Sequence, residues 1–297
     1  MPALLRPMIF RLAACILCLL LAGGCSMVRV GYGHLDSVVV WMAHDYFDLH
    51  AEQRDAFAQR FERLHAWHRS EQLPEYARFL ENVQQRARRG LTAADVLWMI
   101  DGFRQRYTRI AAHGAADAAD LLATLSQEQI DTFKKQIDKN NRKFLREHSS
   151  EGTETERRKA VERQMLAQLR DWLGQLSDAQ EARVIVMLQT APLTDKLRHE
   201  DRLRRQRDFL ALLELRRGDR KIFAQRVRDW LEHREAGRSP VQVQSFDESW
   251  RKRAELYAAV DRMLTPEQRK HLLHRLQDYI DDFRELAARR PAAATAR

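Results

Sequence analysis

Few side chains in this sequence are placed to do covalent, metal or acid–base chemistry. Cys25 closes the stretch Leu-Leu-Leu-Ala-Gly-Gly-Cys, so its thiol follows two residues without side chains at the end of an apolar run. The other two cysteines, Cys15 and Cys18, lie inside that run, and once it is removed no intramolecular disulfide is available. His65 and His68 are three residues apart, as are His271 and His274, so each pair shares one side of a helix. A zinc site needs further nitrogen, sulfur or oxygen donors, and the sequence has no H-E-x-x-H, so these read as solvated surface histidines and no metal ligand is assigned. Carboxylate pairs such as Asp281 and Asp282 near Glu285 say little in a chain that is 31% charged. No G-x-S-x-G, Walker loop or G-x-G-x-x-G is present. The expectation is a protein that is not an enzyme and takes no cofactor.

The elements that would carry these residues are helical. Phe57, Phe61, Leu64 and Trp67 keep a helical spacing; so do Leu97, Ile100, Phe103, Tyr107 and Ile110, and the run Leu272, Leu273, Leu276, Tyr279, Ile280, Phe283 and Leu286. Each set forms one apolar stripe, whose burial would hold its helix. Tyr46, Trp41 and Trp67 are assigned to a core. Asp45 and Asp48 are expected to pair with Arg54 or Arg63, or to cap the helix beginning near Leu49. Breaks fall at Arg89-Gly90, at 149–153, at Arg217-Gly218-Asp219 and at 236–240. The fold class is an all-α, multi-helix bundle of about ten helices. Its divisions are a signal peptide at 1–24, a lead at 25–34, an N-terminal lobe at 35–148, a polar linker at 149–155, a C-terminal lobe at 156–290 and a disordered tail at 291–297.

One unit recurs: Leu91-Thr92-Ala93-Ala94-Asp95, Leu125-Ser126-Gln127-Glu128-Gln129, Leu176-Ser177-Asp178-Ala179-Gln180 and Leu264-Thr265-Pro266-Glu267-Gln268, with Leu49-His50-Ala51-Glu52-Gln53 as a degenerate copy. The hydroxyl can accept from the N–H three residues on, while the Asp or Gln reaches back to the cap's own N–H. The copies keep no fixed period, which excludes a solenoid. The unit is similar to the motif of the LTxxQ periplasmic proteins, helical stress factors and chaperones of the Spy and CpxP type. That resemblance implies ordered helices, with clients bound elsewhere.

Arg6 and Arg11 precede an uncharged stretch from Leu12 to Gly24, a signal-peptide pattern too short for a spanning helix. With Gly23 and Gly24 before Cys25, the segment resembles the lipobox of bacterial lipoproteins, except that Ala22 stands where the family usually has Leu. The resemblance implies a cut between Gly24 and Cys25 and lipidation of Cys25. Ser26 after the cysteine implies the outer membrane as the address. An ordinary secretory signal with an incidental cysteine is the alternative. A wider resemblance, carried by Val28-Arg29-Val30-Gly31-Tyr32, Trp41, 45–49, Gln53, Trp67-His68 and Gln72-Leu73-Pro74-Glu75-Tyr76, is to a family of proteobacterial helical lipoproteins of unknown function.

Removal of residues 1–24 would leave 273 of the 297 residues and take the formal charge from +9 to +7. An exported basic protein meets anionic lipid and acidic clients, not nucleic acid. The densest basic cluster, Arg202-Leu203-Arg204-Arg205-Gln206-Arg207, could face an anionic surface or be neutralised by Glu200, Asp201, Asp208 and Glu214. The expected function is a lipid-anchored, non-catalytic binding or chaperone-like module on the periplasmic face of the outer membrane. Its partners would be that membrane and unfolded or envelope proteins. The alternatives are an assembly factor for one envelope protein and an enzyme of unrecognised type.

Overall fold

A computed structural model describes residues 27–147 and 151–289, and among these every regular element is a helix. The order is α1 (Met27–Gly33), α2 (Leu35–Phe47), α3 (Ala51–Trp67), a π-helical turn (His68–Gln72), α4 (Leu73–Arg89), α5 (Ala93–Leu122), α6 (Gln127–Glu147), α7 (Glu154–Leu173), α8 (Asp178–Gln189), α9 (Asp195–Glu214), a 3₁₀ turn (Leu215–Arg217), α10 (Arg220–Glu232), α11 (Pro240–Arg262) and α12 (Pro266–Ala288). No helix of the described residues is long and apolar enough to cross a membrane. Residues 1–26, with the signal segment and Cys25, residues 148–150 within the polar linker, and the tail from 290 lie outside the described residues.

The recurring unit starts helices as its chemistry requires. Thr92, Ser177 and Thr265 each accept the N–H three residues on, and Asp95, Gln180 and Gln268 each accept the cap's own N–H. The glutamine copies also pair with one another. Gln180 Nε2 donates to Gln268 Oε1 at 2.7 Å and Gln268 Nε2 donates to Gln180 Oε1 at 3.0 Å. Their second N–H groups go to the carbonyls of Met263 and Gln175, each just before the partner unit's leucine. Gln53 and Gln129 repeat the arrangement: Gln129 donates to Gln53 Oε1 and to the Asp48 carbonyl, and Gln53 donates to Gln129 Oε1 and the Thr124 carbonyl. Each amide thereby uses two donors and two acceptor sites, the full capacity of the group. An acid at the fifth position cannot enter such a ring. Asp95 instead binds Arg86, and the Thr92 hydroxyl beside it, more than any other group, holds its carboxyl down at about 2.

The two most extensive helix pairs are α4 with α12 and α5 with α10. One core cluster joins Leu125, Ile130, Phe133 and Ile137 to Phe209, Leu213, Phe223 and Val227; another joins Phe79, Val83 and Ala87 to Leu276. A third, around Leu169, Val184 and Leu256, belongs to residues beyond 160. On α5 the buried seam differs from the expected stripe: Ala111, Ala115 and Ala119 are buried, while Phe103 is 58% exposed. Small side chains let α10 approach closely, which a row of large ones would prevent. Gly102 lies on the same helix for a related reason, since a Cβ there would stand 2.5 Å from the Phe79 ring. The lead, from residue 27 onward, is helical, and Arg29 holds α1 to α12 through Asp282 at 2.8 Å.

Candidate functional site

Between α7, the start of α9 and α11 lies a cleft of about 600 Å³. Its walls carry Arg163, Arg198, Lys252 and Arg253 and a single carboxylate, Asp195. That carboxylate is already occupied by Arg157, which approaches side-on with Nε at 2.8 Å and Nη2 at 2.7 Å. Lys252 has Glu255 at 3.3 Å, whereas Arg163 and Arg198 make no ion pair among the described residues. Partial desolvation in the cleft, and secondarily the charge of Arg253, lowers the Arg198 pKa from its ordinary value. Arginine remains protonated in such a setting, so the cleft holds an uncompensated positive charge over a floor of Met165, Leu188 and Leu256.

An apolar pocket of about 290 Å³ lies on the other side of Gln168, between α4, α5, α7, α11 and α12. Leu80, Val83, Met99, Trp172 and Leu272 line it, and Phe103 stands on its wall. Gln168 belongs to both walls, and the Tyr257 hydroxyl meets its Oε1 at 3.3 Å. Cations on one side and hydrocarbon on the other suit a ligand with an anionic head and an apolar chain. No histidine or cysteine lines the cleft. No spacing in the sequence announces this site: its cations come from three helices, each reading as an ordinary solvated face.

The histidines divide. His271 and His274 are exposed, as expected, but His65 is 9% exposed and His68 is half-buried in the π turn, so this pair is not a surface feature. His68 lies between two phenols, with Tyr32 Oη 2.9 Å from Nδ1 and Tyr76 Oη 3.2 Å from Nε2. A neutral imidazole has one donor and one acceptor nitrogen and can serve both hydroxyls in either tautomer. Burial pushes the His68 pKa down to about 4 and that of Tyr32 up to about 12. Among the described residues, no three acidic, histidine or cysteine side chains gather as a metal site.

Other expectations are corrected. Trp41 is 64% exposed and Trp67, half-buried, stacks on His113 outside the three core clusters, so of these aromatics Tyr46 alone packs against a core, the first cluster. Asp45 binds Gln136, and Asp48, in a left-handed conformation at the end of α2, offers its carbonyl to Gln129. Three of the four arginines of the basic cluster of α9 are consumed in packing: Arg202 binds Asn141, Arg204 pairs with Asp201 and Asp208 at 2.8 Å each, and Arg205 lies over Trp230, whereas Arg207 is exposed. Glu200 and Glu214 make no ion pair among the described residues. The lipidation candidate Cys25, with Gly24 before it, lies outside the described residues.

A protein-family model described as a family of unknown function, DUF6279, matches residues 45–240. No curated protein and no solved structure matches the chain.

Proposed function

Since the chain belongs to DUF6279, a family of unknown function, we propose from its own chemistry that it is a non-catalytic binding module, lipid-anchored at Cys25 on the periplasmic face of the outer membrane. Its ligand is an acyl-chain amphiphile with a carboxylate or phosphate head. The observation that carries this reading is the cationic cleft, whose Arg163 and Arg198 make no ion pair among the described residues, sharing Gln168 with an apolar pocket. A head group bound to Arg198 gains a charge-assisted hydrogen bond, while its chain leaves water. The non-catalytic part is supported by the lining, in which the one carboxylate is held by Arg157 and no histidine or cysteine is present.

The test is extraction of copurifying lipid from protein made in its native envelope, followed by titration with dodecanoate and lysophosphatidylglycerol. Arg198→Ala is expected to weaken binding of either about tenfold, the loss of one hydrogen bond to a charged group. Failure to bind either amphiphile, equal binding by the variant, or capture of acidic peptides in their place would sink the amphiphile reading. The anchor is tested separately by the intact mass of the amino-terminal peptide, where an unmodified Cys25 thiol refutes it.

A further inference from the structure

The segment Leu35-Asp36-Ser37-Val38-Val39-Val40-Trp41-Met42 holds six apolar residues in eight, yet α2 contains no buried residue. Val30 on α1 is 56% exposed, and on α2 Val38 is 47%, Trp41 64% and Met42 45% exposed. Helical spacing turns Ala43 and Phe47 to the core and Val38, Trp41 and Met42 away from it; Tyr46, four residues after Met42, lies on the boundary and packs on the core, and the exposed Asp45, four residues after Trp41, stands among the outward residues with its carboxylate accepting from Gln136. Four large apolar side chains within 13 residues of one another are therefore left in solvent, a concentration that marks an interaction surface.

The neighbouring helix indicates what covers it. α6 runs antiparallel beside α2: Phe133 stacks on Phe47 with centroids 4.7 Å apart, Gln136 donates to Asp45, and Asn140 donates to the Tyr46 hydroxyl at 2.7 Å. This register sets the later turns of α6 beside Val38 and Met42. The inward residues of α6 are Ile130, Phe133, Ile137 and Asn141. Lys135, Lys139, Arg142 and Arg146 follow at helical spacing on the exposed side, with no ion pair among the described residues. Asp131 and Asp138 fall toward the far flank, and Asp131 is held by Lys134 at 3.0 Å. An exposed tryptophan in an apolar strip, edged by a row of cations, is the composition of a surface that lies in the headgroup region of an anionic bilayer.

We propose that α2 and the exposed basic stripe of α6 form a docking face for a bilayer containing anionic phospholipid. The proposal rests on the reading of Cys25 as the anchor for its orientation, because the thiol is only 16 residues before Trp41 and would hold this face against the membrane. It does not need the anchor for its chemistry. Lipid attachment fixes the protein to a membrane; the α2–α6 face decides which side of the bundle meets it, leaving the cationic cleft on other helices.

The experiment therefore removes the anchor. The mature chain carrying Cys25→Ser is mixed with vesicles of phosphatidylethanolamine and phosphatidylglycerol, or of phosphatidylcholine alone, and its partitioning is measured by flotation. Partitioning into the anionic vesicles is expected to exceed that into the neutral ones. It should fall about fivefold for each of Lys139→Gln and Arg142→Gln, and about tenfold for Trp41→Ser. Val186→Ser, which removes an apolar side chain of similar exposure on α8, should leave it unchanged. All four positions are exposed, and helical circular dichroism verifies folding. Equal partitioning into both vesicle types, or equal effects of Trp41→Ser and Val186→Ser, overturns the proposal. So does a dimer that shields Trp41 and does not float, which would assign the face to a second copy of the chain. An unmodified Cys25 in the native protein would refute the anchor and leave these outcomes readable.

Discussion

A histidine's neighbours decide whether it senses pH, and His68 has neighbours that favour its neutral form. Its pKa in the folded chain is about 4 against an ordinary 6.5, because burial penalises the charged ring and His65 adds a smaller unfavourable charge. The unfolded chain therefore binds more protons between those values, and stability is complete above about pH 6.5 and falls as the pH drops toward 4. Allowing for the partial exposure of the ring, the loss is about 2 kcal/mol. Denaturant midpoints measured across that range should show it, and His68→Asn should remove most of the slope while lowering stability uniformly through the lost phenol contacts. Gly102 makes a steric prediction at the same scale. A methyl group 2.5 Å from the Phe79 ring forces that ring, and Arg106 stacked 3.8 Å over it, to move. Gly102→Ala is expected to cost about 2 kcal/mol despite the better helix propensity of alanine, read as a lower thermal midpoint.

The element-scale feature is the pairing of helix starts. A capping box needs only one helix, and as such the Leu-Ser/Thr-x-x-Gln unit would act locally. In the structure the fifth-position amide also ties two helix entrances together, α8 to α12 and α3 to α6, through reciprocal hydrogen bonds. Gln180 and Gln268 are 6% and 8% exposed, so a lost partner is not replaced by bulk water. Gln268→Leu is expected to cost about 2 to 3 kcal/mol by stranding the Gln175 carbonyl and one edge of Gln180. A double-mutant cycle with Gln180→Leu should show coupling of about 1 kcal/mol or more. Additive effects would reduce the unit to an independent cap.

At the scale of the whole molecule, two of the three core clusters draw on residues both before and after the polar stretch at 149–155. A fragment ending at residue 148 would expose Ile130 and Phe133, which in the full chain pack with Phe209, Leu213 and Phe223. It is expected to lack a cooperative thermal transition, whereas the intact mature chain should have one; a sharply melting fragment would show that the first half holds its own core. The sequence by itself determined the helical class, the helix starts at Thr92, Ser126, Ser177 and Thr265, and the breaks at Gly90 and Ser239, because periodicity and capping act within a few residues. It also presented the apolar run before Cys25 and the excess of basic residues. Tertiary structure decided which apolar stripes are buried, leaving Trp41 outside and taking His65 in, and which cations are spent in packing, as Arg202, Arg204 and Arg205 are, or left without an ion pair among the described residues, as Arg163 and Arg198 are. Those outcomes depend on residues far apart in the chain meeting across helices, and burial and charge pairing are properties of that meeting, not of any local spacing.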